Sequence, residues 1–338
     1  MPGLRISISD NHLAHFEIEA WRHGRRANWP ITVSGDSDIR GRDEGLTNLP
    51  LGVGVALGEI IMMAVVSALV KLVSDDIATT TILLFRYALC LPLLLAVAVW
   101  QRGRSAFSIS RPQTLSLRIA TGLISLACFY AALDLMPLSL VTVLFQTLTL
   151  FVTLLAPMML GERVGWRRWT AVIAGFGGTM LLLSPAAGGW TLTGILLGLG
   201  SPFFGALMMI TLRRLSRHDS PATTAVWHNG MGTIVFALIV VAVDAPLPTG
   251  GADLALLIAI GVLSSFQQFG LAFSHKLVPA SILAPLHYLS IPMGIGAGVL
   301  MFGEVLTAEI IVGSIIIIAS SIFILRRERQ LREAGQTP

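Results

Sequence analysis

Charge is what this sequence has least of. Only 12% of its 338 residues are Asp, Glu, Lys or Arg, 42 side chains in all, whereas 54% are apolar. A soluble domain carries about 25% charged residues because its surface faces water. Residues 1–48 hold 13 of the 42 charges and residues 326–338 hold 6, which leaves 23 for the 277 residues from Leu49 to Leu325. That stretch is too poor in charge to face water, which excludes a soluble enzyme, a secreted scaffold and a disordered protein. Cysteine is almost as scarce. Cys90 and Cys128 sit in apolar runs without metal-ligand spacing, so neither a disulfide framework nor a metal site is expected, and no cofactor is implied. The sequence has no His-Glu-x-x-His, no Gly-x-Ser-x-Gly and no nucleotide-binding loop, and Gly52-x-Gly54 lacks the spacing of a dinucleotide fingerprint. Asp75, Asp76, Asp134, Asp244 and Asp253 all fall at the edges of apolar runs. An intramembrane enzyme and an ATP-driven pump are therefore set aside.

The net charge of +4 is no nucleic-acid footprint, because no run of Lys and Arg is interleaved with aromatics. Residues 1–48 have six Arg, seven acids and three His but no apolar core of 7–15 residues, so they read as a disordered cytoplasmic tail rather than a signal peptide. From Leu49 onward, apolar runs of about 20 residues alternate with short polar breaks, each long enough to cross roughly 30 Å of hydrocarbon. The expected spans are 50–72, 77–100, 114–133, 138–160, 168–184, 190–212, 221–243, 252–274, 278–302 and 306–325. Lipid offers backbone groups no partners, so the spans must be helical and the chain an all-α integral membrane protein.

Lys and Arg set the orientation. With the N-terminus in the cytoplasm, that side collects Arg102, Arg104, Arg111 and Arg118, then Arg163, Arg167 and Arg168, then Arg213, Arg214 and Arg217, then Lys276, and finally Arg326, Arg327, Arg329 and Arg332. The opposite side has Lys71 alone, and Arg86 falls inside a span. Ten spans with both termini cytoplasmic follow, in a bacterial inner membrane.

A shift of 142 residues superposes the two halves without a gap. Gly52 falls on Gly194, Gly58 on Gly200 and Lys71 on Arg213; Leu-Met-Pro-Leu-Ser at 135–139 falls on Leu-Val-Pro-Ala-Ser at 277–281; Gly161-Glu162 falls on Gly303-Glu304. Each copy holds five spans, an odd number, so the second enters from the opposite face. The expected architecture is two five-helix inverted repeats, 49–184 and 190–326, followed by a cytoplasmic tail at 327–338.

With Phe85-Arg86-Tyr87, Leu160-Gly161-Glu162-Arg163 and Arg167-Arg168-Trp169 in view, the chain resembles the drug/metabolite transporter superfamily, EamA-type ten-helix members, over about 49–326. The second copy departs from the first by His228 in place of Arg and by Glu309 in place of a basic cluster. The resemblance implies a secondary transporter of a small metabolite working by alternating access, proton-coupled or an exchanger. Members are similar to exporters of amino acids and to uptake permeases for S-adenosylmethionine or riboflavin. A channel or receptor without coupling is the competing class. The implied partners are a small-molecule substrate and the bilayer, and a second copy of the chain is left open.

Ionisable groups inside a bilayer are costly and need a reason. Glu59 and Arg86 lie about nine residues inside the first and second spans, within roughly 6 Å of one height, so an ion pair is expected and, with it, a coupling site. The repeat supplies a second argument. Arg86 with His228, Gln146 with Tyr288 and Ser125 with Gln267 are equivalent polar positions near the span centres, joined by Tyr130, Gln268 and His287, with Trp227 and Asn229 beside them. They are expected to line one central substrate cavity, although helix–helix hydrogen bonding is an equal reading of any one of them. Gly54/Gly58, Gly194/Gly198 and Gly294/Gly298 are read as close-approach pairs, Pro92, Pro157, Pro202, Pro285 and Pro292 as kinks, and Gly161-Glu162 and Gly303-Glu304 as helix-end packing. Resemblance adds that small four-helix multidrug members carry a membrane Glu in their first helix. There a Lys follows after two turns, whereas Lys71 lies three turns after Glu59.

Overall fold

A computed structural model of the chain describes residues 49–161, 164–184, 190–215, 219–248, 250–278 and 280–333. The N-terminal tail, Glu162, Arg163, Arg217 and the last five residues lie outside them. Among the described residues every long element is an α-helix. In chain order these are α1 (Leu49–Ser74), α2 (Thr79–Arg102), α3 (Pro112–Leu135), α4 (Leu138–Phe145), α5 (Leu148–Leu160), α6 (Trp166–Leu182), α7 (Leu192–Leu215), α8 (Pro221–Ala242), α9 (Gly251–Leu277), α10 (Ala280–His287), α11 (Ser290–Phe302) and α12 (Ala308–Glu333). Among the described residues, nine helical stretches are at least 18 residues long and apolar enough to cross a bilayer, when α4 is taken with α5 and α10 with α11. The tenth, α6, has 17 residues, the short end of the range of about 17–25.

Apolar side chains such as Ile61, Ile124, Ile173, Leu196, Leu238 and Ile315 stand exposed around the outside, which suits lipid and not water. Exposed Trp100 and Trp166 sit at helix ends, where indole rings anchor at the headgroup level.

Packing follows the repeat. α3 lies on α7 and α9 on α1, and these two pairs are the same pair under the 142-residue shift. Two further pairings, α2 on α8 and α6 on α12, join a helix to its own equivalent, and α4 on α11 joins the first part of the fourth span to the second part of the ninth, its equivalent span. The two copies thus pack face to face across a pseudo-two-fold axis, the ten-helix inverted-repeat arrangement expected. Glycines permit the close approaches. A side chain at Gly52 would collide with Val278, and one at Gly194, the equivalent position, would meet Met136 at 3.0 Å, the equivalent of Val278. Gly194/Gly198 and Gly294/Gly298 face neighbouring side chains as expected, but Gly54 and Gly58 do not: nothing lies within 4 Å of a Cβ at either. The helix contact is made two residues before Gly54, at Gly52.

Two expected spans are not continuous. The fourth breaks between α4 and α5 at Gln146–Thr147, and the ninth between α10 and α11 at Tyr288–Leu289. These breaks fall at equivalent positions. In each, backbone amides turn back to carbonyls three residues earlier: Gln146 to Val143 (3.1 Å), Thr147 to Leu144 (3.0 Å), Tyr288 to Pro285 (3.3 Å) and Leu289 to Leu286 (2.9 Å). Proline does not mark them symmetrically. α2, α5 and α7 run through Pro92, Pro157 and Pro202, and Pro292 falls in the first turn of α11.

Candidate functional site

Discontinuous helices at mid-membrane expose backbone groups and half-helix ends, the sites where transporters handle cargo and ions. The second break carries the larger polar set. The His287 carbonyl accepts from Gln146 Nε2 (3.3 Å) and from Ser290 Oγ (2.7 Å), so Gln146 of one break is tied to the other. The His287 ring turns toward α1, where its Nδ1 lies 3.8 Å from Glu59 Oε2. Glu59 is 2% exposed, and its Oε1 accepts from Gln267 Nε2 of α9 (3.2 Å). Gly270, one turn further along α9, leaves room for this: a Cβ there would sit 3.2 Å from Glu59 Cβ.

Arg86 is elsewhere. Although α1 and α2 are joined by only four residues, α9 packs against both. The expected Glu59–Arg86 ion pair is not made. Among the described residues the carboxylate meets Gln267 and His287, with no Lys or Arg nitrogen within 4.0 Å. Equal height along two helices is readable from sequence; the direction each side chain points is not.

Arg86 instead joins a second cluster. Its guanidinium stands 5.5 Å from the Tyr87 ring centre and 5.8 Å from that of Tyr130 on α3. His228 of α8 packs edge-on against Tyr87 at 5.6 Å. Arg118, two turns inside α3, donates through Nη1 to the Thr224 carbonyl (3.3 Å). The remaining expected residues divide as follows. Tyr288 points to α5, with its hydroxyl 3.3 Å from Thr149 Oγ1. Gln268 is half-buried, turned about 100° around α9 from Gln267. Ser125 is spent on a helix contact, donating to the Ser201 carbonyl (2.8 Å), and Trp227 reaches outward to the Phe107 carbonyl (3.3 Å). The expected residues therefore fall into two polar clusters, one around Glu59 and one around Arg86, which meet α9 about one turn apart at Gln267 and Ser264.

The far end of α11 explains the Gly-Glu motif. Gly303 ends that helix in the left-handed region (φ 63°), as Gly161 ends α5 (φ 69°), a conformation glycine takes without steric cost. Glu304 then reaches across the repeats, where its carboxylate accepts from the Leu138 and Ser139 amides (2.9 Å for Ser139) and caps the N-terminus of α4. Lys71 does the converse, donating to the carbonyls of Leu133 (2.8 Å) and Met136 (2.9 Å) at the end of α3. Lys71 and Glu304 line one surface cavity with Asp134 and Phe302. Arg118, Lys71 and Glu304 were not legible as site residues from sequence. Arg118, expected on the cytoplasmic side, is instead buried two turns inside α3.

With the architecture in place, comparison with known proteins gives the lineage. The profile of the EamA-like transporter family matches residues 50–184 and again 192–326. The chain belongs to the EamA-like transporter family. It is a secondary-active transporter of a small metabolite and not an enzyme. Its relatives include a riboflavin transporter of Vibrio cholerae, 31% identical over 261 residues, 75% of this chain and 87% of that one. The pseudopaline exporter CntI of Pseudomonas aeruginosa is 28% identical over 283 residues, covering 83% and 98%. An S-adenosylmethionine uptake transporter of Rickettsia prowazekii is 26% identical over 246 residues, covering 73% and 82%. These EamA relatives move unlike cargoes, two named for uptake or transport and one for export, so the family fixes the machinery and not the molecule carried.

Proposed function

We propose that this EamA transporter couples cargo movement to protons through Glu59, with His287 as its partner and Gln146, Gln267 and Gln268 as polar contacts for cargo. One observation carries the reading: a buried carboxylate at a helix break faces Gln267 of α9 and His287 of α10 and, among the described residues, no fixed cation. A permanent charge without a partner does not rest in a bilayer interior. A proton held on Glu59, or on His287 so that the two form an ion pair, resolves this. The proton is released when rocking of the repeats opens the break to water.

The cargo proposed is an amphipathic metabolite with a polar heteroaromatic part, for which riboflavin and S-adenosylmethionine are the first probes, given the relatives. Both termini are proposed to be cytoplasmic, from the bias of Arg and Lys.

The test uses purified full-length protein in proteoliposomes. Glu59→Gln keeps shape and hydrogen bonding but removes the titration. It is expected to abolish accumulation driven by an imposed pH gradient while preserving cargo exchange without one. Normal gradient-driven accumulation by a folded Glu59→Gln protein refutes the coupling role.

A further inference from the structure

The cluster around Arg86 has a composition that the coupling site does not use. Arg86 and Arg118 are 7% and 8% exposed, deep in a chain that spans the membrane. Among the described residues no carboxylate lies within 4.0 Å of either guanidinium; Glu59, beside His287, belongs to the other cluster. Arg86 Nε, Arg118 Nε, the Tyr87 hydroxyl and Nδ1 of His228 are buried without a hydrogen-bond partner, while the Tyr130 hydroxyl faces Arg86 and Ser264. His228 lies within electrostatic reach of both arginines.

Two buried cations without an anion are not a stable resting arrangement, because neither can shed its charge by losing a proton. Nearly all the unpartnered groups are donors or hydroxyls able to donate. The complement of such a set is a ligand that only accepts: a planar carboxylate, which matches the guanidinium fork, or a phosphate. A cationic or purely apolar ligand would leave both guanidinium groups unpaired. His228 and the Thr224 carbonyl reach the cluster from α8, whereas both arginines come from α2 and α3. The two sides of the cluster thus belong to different repeats, and relative motion of the repeats opens or closes it.

We infer that Arg86 and Arg118, with Tyr87, Tyr130 and His228, form an oxyanion-binding site for a carboxylate or phosphate group borne by the cargo. The inference deepens the transporter reading by assigning the cargo a charge; it is independent of Glu59. A flux assay of Glu59→Gln does not depend on it, so the two can fail separately.

The experiment measures thermal unfolding of the full-length protein in neutral detergent, followed by tryptophan fluorescence. Acetate and inorganic phosphate are titrated against chloride at constant ionic strength. Riboflavin 5′-phosphate is compared with riboflavin, two probes that differ only in the oxyanion. The wild type is expected to melt higher with each oxyanion, by mass action, and to respond to riboflavin 5′-phosphate at concentrations about tenfold below those of inorganic phosphate. Equal potency of the two phosphates supports the site but assigns it to a free anion. Arg86→Gln and Arg118→Gln are expected to melt no lower than the wild type without oxyanion, since each removes an uncompensated charge, and to lose the response. A response retained in both variants overturns the proposal. So does failure of both to fold, because that outcome makes the arginines supports of the empty protein.

Discussion

Replacing Glu304 with alanine removes the cap that one repeat places on the other. Both oxygens of its carboxylate accept backbone amides, from Leu138 and Ser139, whose side chains are 0% and 1% exposed. Hydrogen bonds to a charged acceptor contribute about 1.5–3 kcal/mol each, and the helix dipole adds about 0.3–1 kcal/mol. Glu304 itself is half-buried and opens onto a surface cavity, so water replaces part of what is lost. The expected cost of Glu304→Ala is therefore near the low end, about 3 kcal/mol, and that of Glu304→Gln, which keeps one neutral acceptor, about half as much. Gly298 supplies an internal check, because a Cβ there would run into the Glu304 carboxylate. Gly298→Ala should cost about 1–3 kcal/mol in the wild type and much less in the Glu304→Ala background. Equilibrium unfolding in mixed detergent micelles measures all four proteins. Additive effects, or a Glu304→Ala protein within about 0.5 kcal/mol of the wild type, would refute a cross-repeat cap.

Further outcomes are expected at other positions. Gly232→Ala places a Cβ 2.7 Å from the Tyr87 ring and should cost about 1–3 kcal/mol by the same unfolding measurement. Gly54→Ala, with nothing within 4 Å, should instead stabilise by up to about 1 kcal/mol, and a loss there would show an unseen contact. Lys71→Met keeps the apolar stem but releases two carbonyls at the end of α3, an expected loss of about 2 kcal/mol; unchanged stability would count against its capping role. Single cysteines at Ser108 and Leu247, in a background lacking Cys90 and Cys128, test orientation with an impermeant maleimide. Leu247→Cys should label in intact cells and Ser108→Cys only after lysis; the reverse pattern refutes cytoplasmic termini.

The length and spacing of apolar runs determined by themselves that the chain is helical and crosses the membrane, because each span must satisfy its own backbone in lipid. The 142-residue offset, carried by matches such as Gly161-Glu162 on Gly303-Glu304, determined the inverted repeat, since five spans per copy reverse the entry face. Height along a span was legible too: counting at a fixed helical rise put Gln146 and Tyr288 at equivalent heights, where the two helix breaks fall. Azimuth was not. Which way a side chain points depends on the helix beside it, and only the packed bundle shows α9 between α1 and α2. That insertion takes Glu59 from Arg86, gives it to Gln267 and His287, and divides one expected cavity into an acidic and a basic cluster. The breaks at Gln146–Thr147 and Tyr288–Leu289 were hidden for a related reason. No proline or glycine occupies the four break positions, and the carbonyl freed at His287 is satisfied partly by a side chain from the other repeat, a partner 141 residues away in the chain.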